Sequence, residues 1–356
     1  MKMHNFSAGP AVLPAEVISQ TAKSIANWNN TGLSLMEMSH RGPAIVGIME
    51  NAVKLTKELF SIPDGYEVLW LTGGASTQFF MTAMNLLDAN KKFALLDTGV
   101  WSSKAVKEMK LFGPCDVVAS SKDKNYSYIP KGYAIPTDAD YLHLTSNNTI
   151  YGTQIHEWPE TDVPFICDMS SDIFSRPIDI KHYDLIYAGA QKNMGPAGTT
   201  MVIVKKDILG KVERQIPSML DYKIHIAKES SFNTPPVIPI YVCMLTLEWI
   251  KRNGGVAAMQ KRNTEKANLF YGELDRNSLF KGVVATEDRS HMNATFVLND
   301  EAHTDAFTTM CKANNCVGLK GHRSAGGFRA SLYNALELSS VQALVDTMKQ
   351  FEDKNA

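Results

Sequence analysis

The chain has 356 residues, of which 44% are hydrophobic and 21% charged, enough to bury a core without metals or disulfides as staples. Lys plus Arg number 36 against 37 for Asp plus Glu, and this balance excludes a general nucleic-acid or membrane-surface binder. The five cysteines (Cys115, Cys167, Cys243, Cys311 and Cys316) are odd in number, scattered, and without His or Cys neighbours at metal-ligand spacing, so free thiols in a reducing cytoplasm are expected and no metal.

The first dozen residues read as irregular, with Gly9-Pro10 and Pro14 and no apolar secretory stretch; they are predicted to cross to either domain. No run approaches the roughly 20 apolar residues of a membrane helix. Short apolar strands are predicted at 67–71, 92–97, 141–144, 164–167, 185–189 and 200–204, with helices at 77–87 and 102–110 between them. Apolar runs bounded by polar or glycine residues are the pattern of buried parallel strands, so the class is α/β with a mostly parallel sheet. An apolar helix at 239–250 ends at Asn253-Gly254-Gly255. Beyond it come a long polar helix at 256–275, a strand at 294–298, a helix at 304–313, a glycine-rich stretch at 318–327, a strand at 328–332 and a last helix at 340–352. The predicted organisation is an N-terminal segment (1–15), a large domain (16–253) and a smaller C-terminal α+β domain (254–356).

Several strand ends carry residues with chemical potential. Thr72-Gly73-Gly74-Ala75-Ser76-Thr77 lies between a strand and a helix, where backbone N–H groups of Ala75 and Ser76 either cradle an anion or simply cap the turn. Trp101 follows the 92–97 strand and either stacks on a flat cofactor or packs. Thr149, in Asn147-Asn148-Thr149-Ile150-Tyr151-Gly152-Thr153, is a turn residue or a hydroxyl ligand. Asp168 closes an apolar strand, where ligands of open α/β sheets bind; it either holds a protonated ring nitrogen or caps a turn. Lys192, 24 residues later in Ala188-Gly189-Ala190-Gln191-Lys192, is a desolvated Schiff-base lysine or an exposed loop lysine. Asn233-Thr234-Pro235-Pro236 is a rigid turn able to present polar groups to a phosphate. His40-Arg41, His322-Arg323 and Arg329 supply guanidinium forks suited to a ligand with two anionic groups, or else are solvated surface residues.

In order and over the whole chain, these segments resemble the phosphoserine aminotransferase family of class V, fold-type I pyridoxal-phosphate enzymes. The resemblance is carried by Asn5-Phe6-Ser7-Ala8-Gly9-Pro10, Ser39-His40-Arg41-Gly42, Asn147-Asn148-Thr149, Ala188-Gly189-Ala190-Gln191-Lys192-Asn193, Phe232-Asn233-Thr234-Pro235-Pro236, Gly321-His322-Arg323 and Gly326-Gly327-Phe328-Arg329. It implies a seven-stranded, mostly parallel sheet and pyridoxal 5'-phosphate as cofactor. Lys192 is then the Schiff-base lysine and Asp168 the partner of the pyridinium nitrogen; both are catalytic. Trp101 stacks on the ring, and Thr149 bonds its hydroxyl side. Ala75, Ser76 and Gln191 hold the phosphate, joined by Asn233 and Thr234 from the second subunit of a homodimer. His40 and Arg41 of that subunit, with His322, Arg323 and Arg329, bind substrate anions.

The implied reaction moves an amino group between glutamate and 3-phosphohydroxypyruvate in serine biosynthesis, and the resemblance extends to a phosphorylated four-carbon keto acid of pyridoxine biosynthesis. Many members carry glycine where this chain has Ala75 and Thr77. Cysteine desulfuration, alanine–glyoxylate transfer and a non-catalytic ligand-binding protein are the other readings of such a chain.

Overall fold

The computed structural model describes residues 2–355. Its elements, in chain order, are β1 (His4–Asn5), α1 (Ala15–Ala26), α2 (Pro43–Phe60), β2 (Tyr66–Thr72), α3 (Ala75–Leu86), β3 (Lys92–Asp97), α4 (Val100–Met109), β4 (Cys115–Ser120), β5 (Ala139–Thr145), β6 (Phe165–Asp168), β7 (Leu185–Gly189) and β8 (Thr199–Lys205). There follow α5 (Tyr222–Ala227), α6 (Val237–Arg252), α7 (Gly255–Arg276), β9 (Phe280–Gly282), β10 (Asn293–Leu298), α8 (Thr304–Ala313), β11 (Cys316–Val317), β12 (Phe328–Ser331) and α9 (Leu338–Asn355).

Seven strands form one sheet in the order β2-β8-β7-β6-β5-β3-β4. Neighbours from β4 to β7 are parallel, and β8 runs antiparallel to both β7 and β2. Alternate residues feed two cores. Val68, Trp70, Leu144, Cys167, Ile186 and Ile203 join α1, α2 and α6 on one face. Leu69, Leu71, Phe93, Tyr141, Ile166 and Val202 join α3, α4 and Tyr222 of α5 on the other. With both faces covered, the strands have no solvent side, which is why they read as nearly continuous apolar runs. Among the described residues no helix is long and apolar enough to cross a membrane.

The antiparallel strands β12-β10-β9 form a second sheet, whose core with α7, α8 and α9 also takes Phe6. The N-terminal segment is less irregular than its sequence suggests. His4 and Asn5 pair in parallel with Cys316 and Val317, while Ala11 N donates to Gln191 O at 3.0 Å. The segment therefore bridges the second sheet and the Lys192 loop.

Some elements escaped the sequence reading. β4 is an edge strand with exposed Val117, and an edge strand lacks the apolar run of a central one. The 18-residue helix α2 begins with Pro43 in its first turn and buries Ile45, Ile48, Met49, Ala52 and Leu55 at three- and four-residue spacing. The predicted helix starts at 77 and 102 fall two residues late. Ala75, Ser76 and Trp101 are consequently inside first turns, not in the loops before them.

Candidate active site

Strands β5, β6 and β7 end side by side, and their C-terminal ends deliver Thr149, Asp168 and Lys192. Lys192 is 8% exposed. Its Nζ donates to Thr149 Oγ1 at 2.8 Å. Burial lowers its pKa to about 8, against the raising influence of Asp168; Arg329 lowers it further. About a tenth of the amine is therefore unprotonated at pH 7, far more than for an ordinary lysine, and the neutral form is the one that attacks.

Asp168 is 5% exposed, and burial raises its pKa. Opposing this, its Oδ1 accepts from Ser170 N at 2.9 Å and Ser170 Oγ at 2.5 Å, and Lys192 lies close enough to favour the anion. The carboxylate is pre-aimed and short of a full counter-charge, which suits it to a protonated ring nitrogen.

Trp101, half-buried in the first turn of α4, has its ring centroid 5.7 Å from Lys192 Nζ. Its buried Nε1 has no hydrogen-bond partner.

The fourth feature is the N-terminus of α3. Gly73 has φ +110°, a conformation that an L side chain rarely adopts, and Gly74 caps the helix without a side-chain bond. The first N–H groups of the helix, Ala75 and Ser76 among them, lack intrahelical partners and face outward with the positive end of the helix dipole. Ala75 and Thr77 are helical, with no positive φ, so replacing glycine there leaves the backbone donors in place. The cradle adjoins β7: a Cβ on Gly189 would come within 2.9 Å of Gln191 Oε1 and 3.5 Å of Ala75 N. Without a side chain, Gly189 lets Gln191 pack close against the strand end, with Ala75 beside it.

The basic residues divide into two groups. Arg329 on β12 donates through Nη1 to Thr149 O at 2.9 Å, so Thr149 holds Lys192 with its hydroxyl and Arg329 with its carbonyl. Burial holds the Arg329 pKa down, and its buried Nε is unpartnered. His322 bonds Ser324 Oγ through Nδ1 at 2.7 Å, and exposed Arg323 follows it. Burial, then Arg329, Arg323 and Lys104, lower the His322 pKa. His40 and Arg41 line a separate groove of about 430 Å³ with Glu50, Lys57, Glu67 and Glu229; a single chain does not bring them to Lys192. Asn233 lies beside the start of its own cradle, Nδ2 donating to Thr72 Oγ1 at 3.3 Å, and Thr234 is exposed next to it. A larger cleft of about 540 Å³ contains none of the residues singled out in the sequence.

Three contributors went unnoticed in the sequence. Ser170 clamps Asp168, and its Oγ also accepts from Gly189 N at 3.1 Å; the Asp-x-Ser spacing of an Asx turn was the available signal. Tyr333 donates to Ala8 O at 2.7 Å and fastens the N-terminal segment over the site. Lys104 stands on Trp101, one helical turn along α4. All five cysteines are free, and four are buried. Burial pushes the Cys115 thiol up to about 12, so no cysteine is a ready nucleophile for desulfuration.

The sequence pattern of the Aminotransferase class-V family matches residues 3–344. The chain belongs to the class-V aminotransferase family. It is 58% identical to a phosphoserine aminotransferase of Flavobacterium johnsoniae, over 99% of this chain and 100% of that one. Phosphoserine aminotransferase from Bacillus circulans subsp. alkalophilus superposes with a TM-score of 0.97 at 43% identity, covering 100% of this chain and 99% of that one. The pyridoxal-phosphate-bound phosphoserine aminotransferase from Trichomonas vaginalis gives 0.94 at 36%, covering 98% and 100%. In this class-V aminotransferase the fold is thus an α/β scaffold with a mostly parallel sheet, as its strand texture predicts.

Proposed function

We propose that this aminotransferase uses pyridoxal 5'-phosphate to move the amino group of L-glutamate to 3-phosphohydroxypyruvate, giving O-phospho-L-serine and 2-oxoglutarate. The observation that carries the reading is Lys192: a buried amine with its pKa lowered to about 8, bonded to Thr149 Oγ1 and within the field of the Asp168 carboxylate.

The residues fit the cofactor. The donor set at Ala75, Ser76 and Gln191 suits a phosphate, Gly189 lets Gln191 lie close against β7 beside Ala75, and the buried Asp168 suits a protonated ring nitrogen. Trp101 offers a face for stacking, and Thr149 a hydroxyl for the ring's polar edge. When bound, pyridoxal phosphate supplies an electrophilic carbon for an amine and an electron sink for the substrate's Cα electrons.

The chain supplies the rest. With the cofactor in place, Lys192 Nζ would be free to take the proton from substrate Cα as a general base and to give it back as a general acid, a task matched to a pKa near 8. Asp168 stabilises positive charge at the ring nitrogen, and Ser170 keeps its carboxylate aimed. Arg329, anchored on Thr149 O, takes the α-carboxylate that both substrates carry. His322 and Arg323 take the distal group, a carboxylate in glutamate and a phosphate in the other substrate. His40 and Arg41 join them from a second copy of the chain, since they stand in a separate groove of their own subunit. Asn233 and Thr234 complete the phosphate cradle at that interface. Free buried thiols suit a cytoplasmic protein.

The test is a two-substrate assay. Glutamate with 3-phosphohydroxypyruvate should turn over, and a visible absorption band should vanish on borohydride treatment. A protein that takes up no cofactor, or that prefers glyoxylate or pyruvate, would refute the reading.

A further inference from the structure

Two lysines share the Trp101 ring. Lys192 Nζ lies 5.7 Å from its centroid and Lys104 Nζ 4.6 Å from it. Trp101 and Lys104 are three residues apart on α4, so their side chains emerge on one face of the helix. Trp101 and Ala325, which lies in the loop between His322 and Arg329, both pack against the small cluster of Tyr126, Ile150 and Tyr151. The helix that carries Lys104 and the loop that carries His322 and Arg323 therefore share one apolar support. Among the described residues no carboxylate approaches Lys104 within 4 Å, although α4 carries Glu108 and the adjacent strand ends in Asp97. The field of Lys104 reaches the loop: with Arg329 and Arg323 it depresses the protonation of His322.

Lys104, Arg323 and Arg329 thus bring like charge to bear on His322, while Lys104 and Lys192 face one Trp101 ring. Such crowding opposes folding and is relieved by an anion. Cation–π contact with Trp101 explains why Lys104 is held there, but not why three other basic groups converge on it.

We propose that Lys104 is a substrate-selecting residue, a further cation that contacts the distal phosphate of the keto-acid substrate together with His322 and Arg323. The proposal rests on the aminotransferase reading above. A dianionic phosphate gains more from an additional cation than the single carboxylate of glutamate does, so Lys104 acts on the difference between the two substrates. Its position on α4, one turn from Trp101, also ties it to the residue that offers a face to the cofactor ring.

The test uses the cofactor-loaded enzyme with Lys104→Met, which keeps the apolar stem, Lys104→Glu, and Lys107→Met as a control with the same change of net charge. Lys107 is exposed on α4 and has no place in the site. The readouts are KM and kcat for 3-phosphohydroxypyruvate and for glutamate, and calorimetric titration with inorganic phosphate as a bare anion probe. Lys104→Met should raise KM for the phosphorylated keto acid about fivefold to twentyfold and weaken phosphate binding in parallel, the size expected of one partly exposed charge-assisted contact. KM for glutamate should move less than about twofold, and the gap between substrates should narrow as salt rises. Lys104→Glu should be worse than Lys104→Met, and Lys107→Met should match wild type. Equal losses on both substrates would reduce Lys104 to a support for Trp101 and overturn the proposal, as would kinetics and phosphate binding indistinguishable from Lys107→Met. A wild-type enzyme inactive on 3-phosphohydroxypyruvate would instead overturn the functional reading, a result seen before any variant is compared.

Discussion

A lysine taken out of water must lose its proton or find a counter-charge, and Lys192 does some of each. Its folded pKa near 8 lies below the ordinary 10.5. Between those values the unfolded chain binds a proton that the folded chain refuses, so stability rises with pH across that window. Below about 8 both states are protonated, and the cost of burying the charge is felt in full. Cofactor-free Lys192→Met should therefore be more stable than cofactor-free wild type at pH 7, and the advantage should shrink toward pH 10; denaturant midpoints at the two pH values measure this. The same variant should lose nearly all transamination. Asp168 makes a second case. Asp168→Asn is nearly isosteric and should fold, but without a charge opposite the ring nitrogen kcat should fall by at least about two orders of magnitude, roughly 3 kcal/mol in the barrier. An unchanged kcat in single-turnover assays would leave Asp168 as a turn residue only.

At the scale of elements, the site depends on short segments being held at fixed angles. Lys266 on α7 is fully buried, and its Nζ donates to Leu332 O at 2.7 Å and Tyr333 O at 2.6 Å, just beyond β12. Burial lowers its pKa well below the ordinary lysine value. Lys266→Met keeps the volume but strands two buried carbonyls, and should cost about 2–4 kcal/mol by chemical denaturation. Arg329 and Tyr333 share that stretch of chain, so both KM values should rise as well.

Which elements were legible in the sequence follows from their surroundings. β2, β3, β5, β6, β7 and β8 are buried on both faces and announce themselves as apolar runs. β4 is half-exposed and does not. Lys192, Asp168 and Thr149 could be picked out because strand ends in such sheets collect ligands. Ser170 carries only the weak local signal of Asp-x-Ser spacing, and Lys104 carries none, because its importance lies in its contact with the Trp101 ring, made only in the folded chain. Asp97 shows the same limit. It accepts bonds from Ser102, Ser103, Ser120 and Tyr126, and so sets the angle of the helix that carries Trp101, yet nothing near it in sequence marks it out.

At the scale of the whole molecule, the basic residues are divided between two places. Arg329 shares Thr149 with Lys192 and bears with Arg323 on His322, whereas His40 with Arg41 lines another groove. On the proposed reading, His40 and Arg41 of one copy join His322 and Arg323 of another at the distal anion, so that each complete site draws on two copies of the chain. This division can be tested by mixing. Arg41→Ala and Lys192→Ala homodimers should each be nearly inactive with 3-phosphohydroxypyruvate. Dissociated together and reassembled at equal concentration, half the dimers are mixed. In each mixed dimer one site unites an intact Lys192 with the Arg41 of the other subunit, while the second site carries both defects. Activity should recover to about a quarter of wild type, the statistical value for one working site in half the dimers. No recovery in a preparation shown to contain mixed dimers would place Arg41 in the site of its own chain. Substrate choice depends on the same division. Pyruvate has no distal anion and leaves the cations unpartnered, so kcat/KM should fall at least about a hundredfold below the phosphorylated keto acid, roughly 2.7 kcal/mol. That gap should collapse in Arg41→Ala, because the variant removes a contact that only the phosphorylated substrate makes in full.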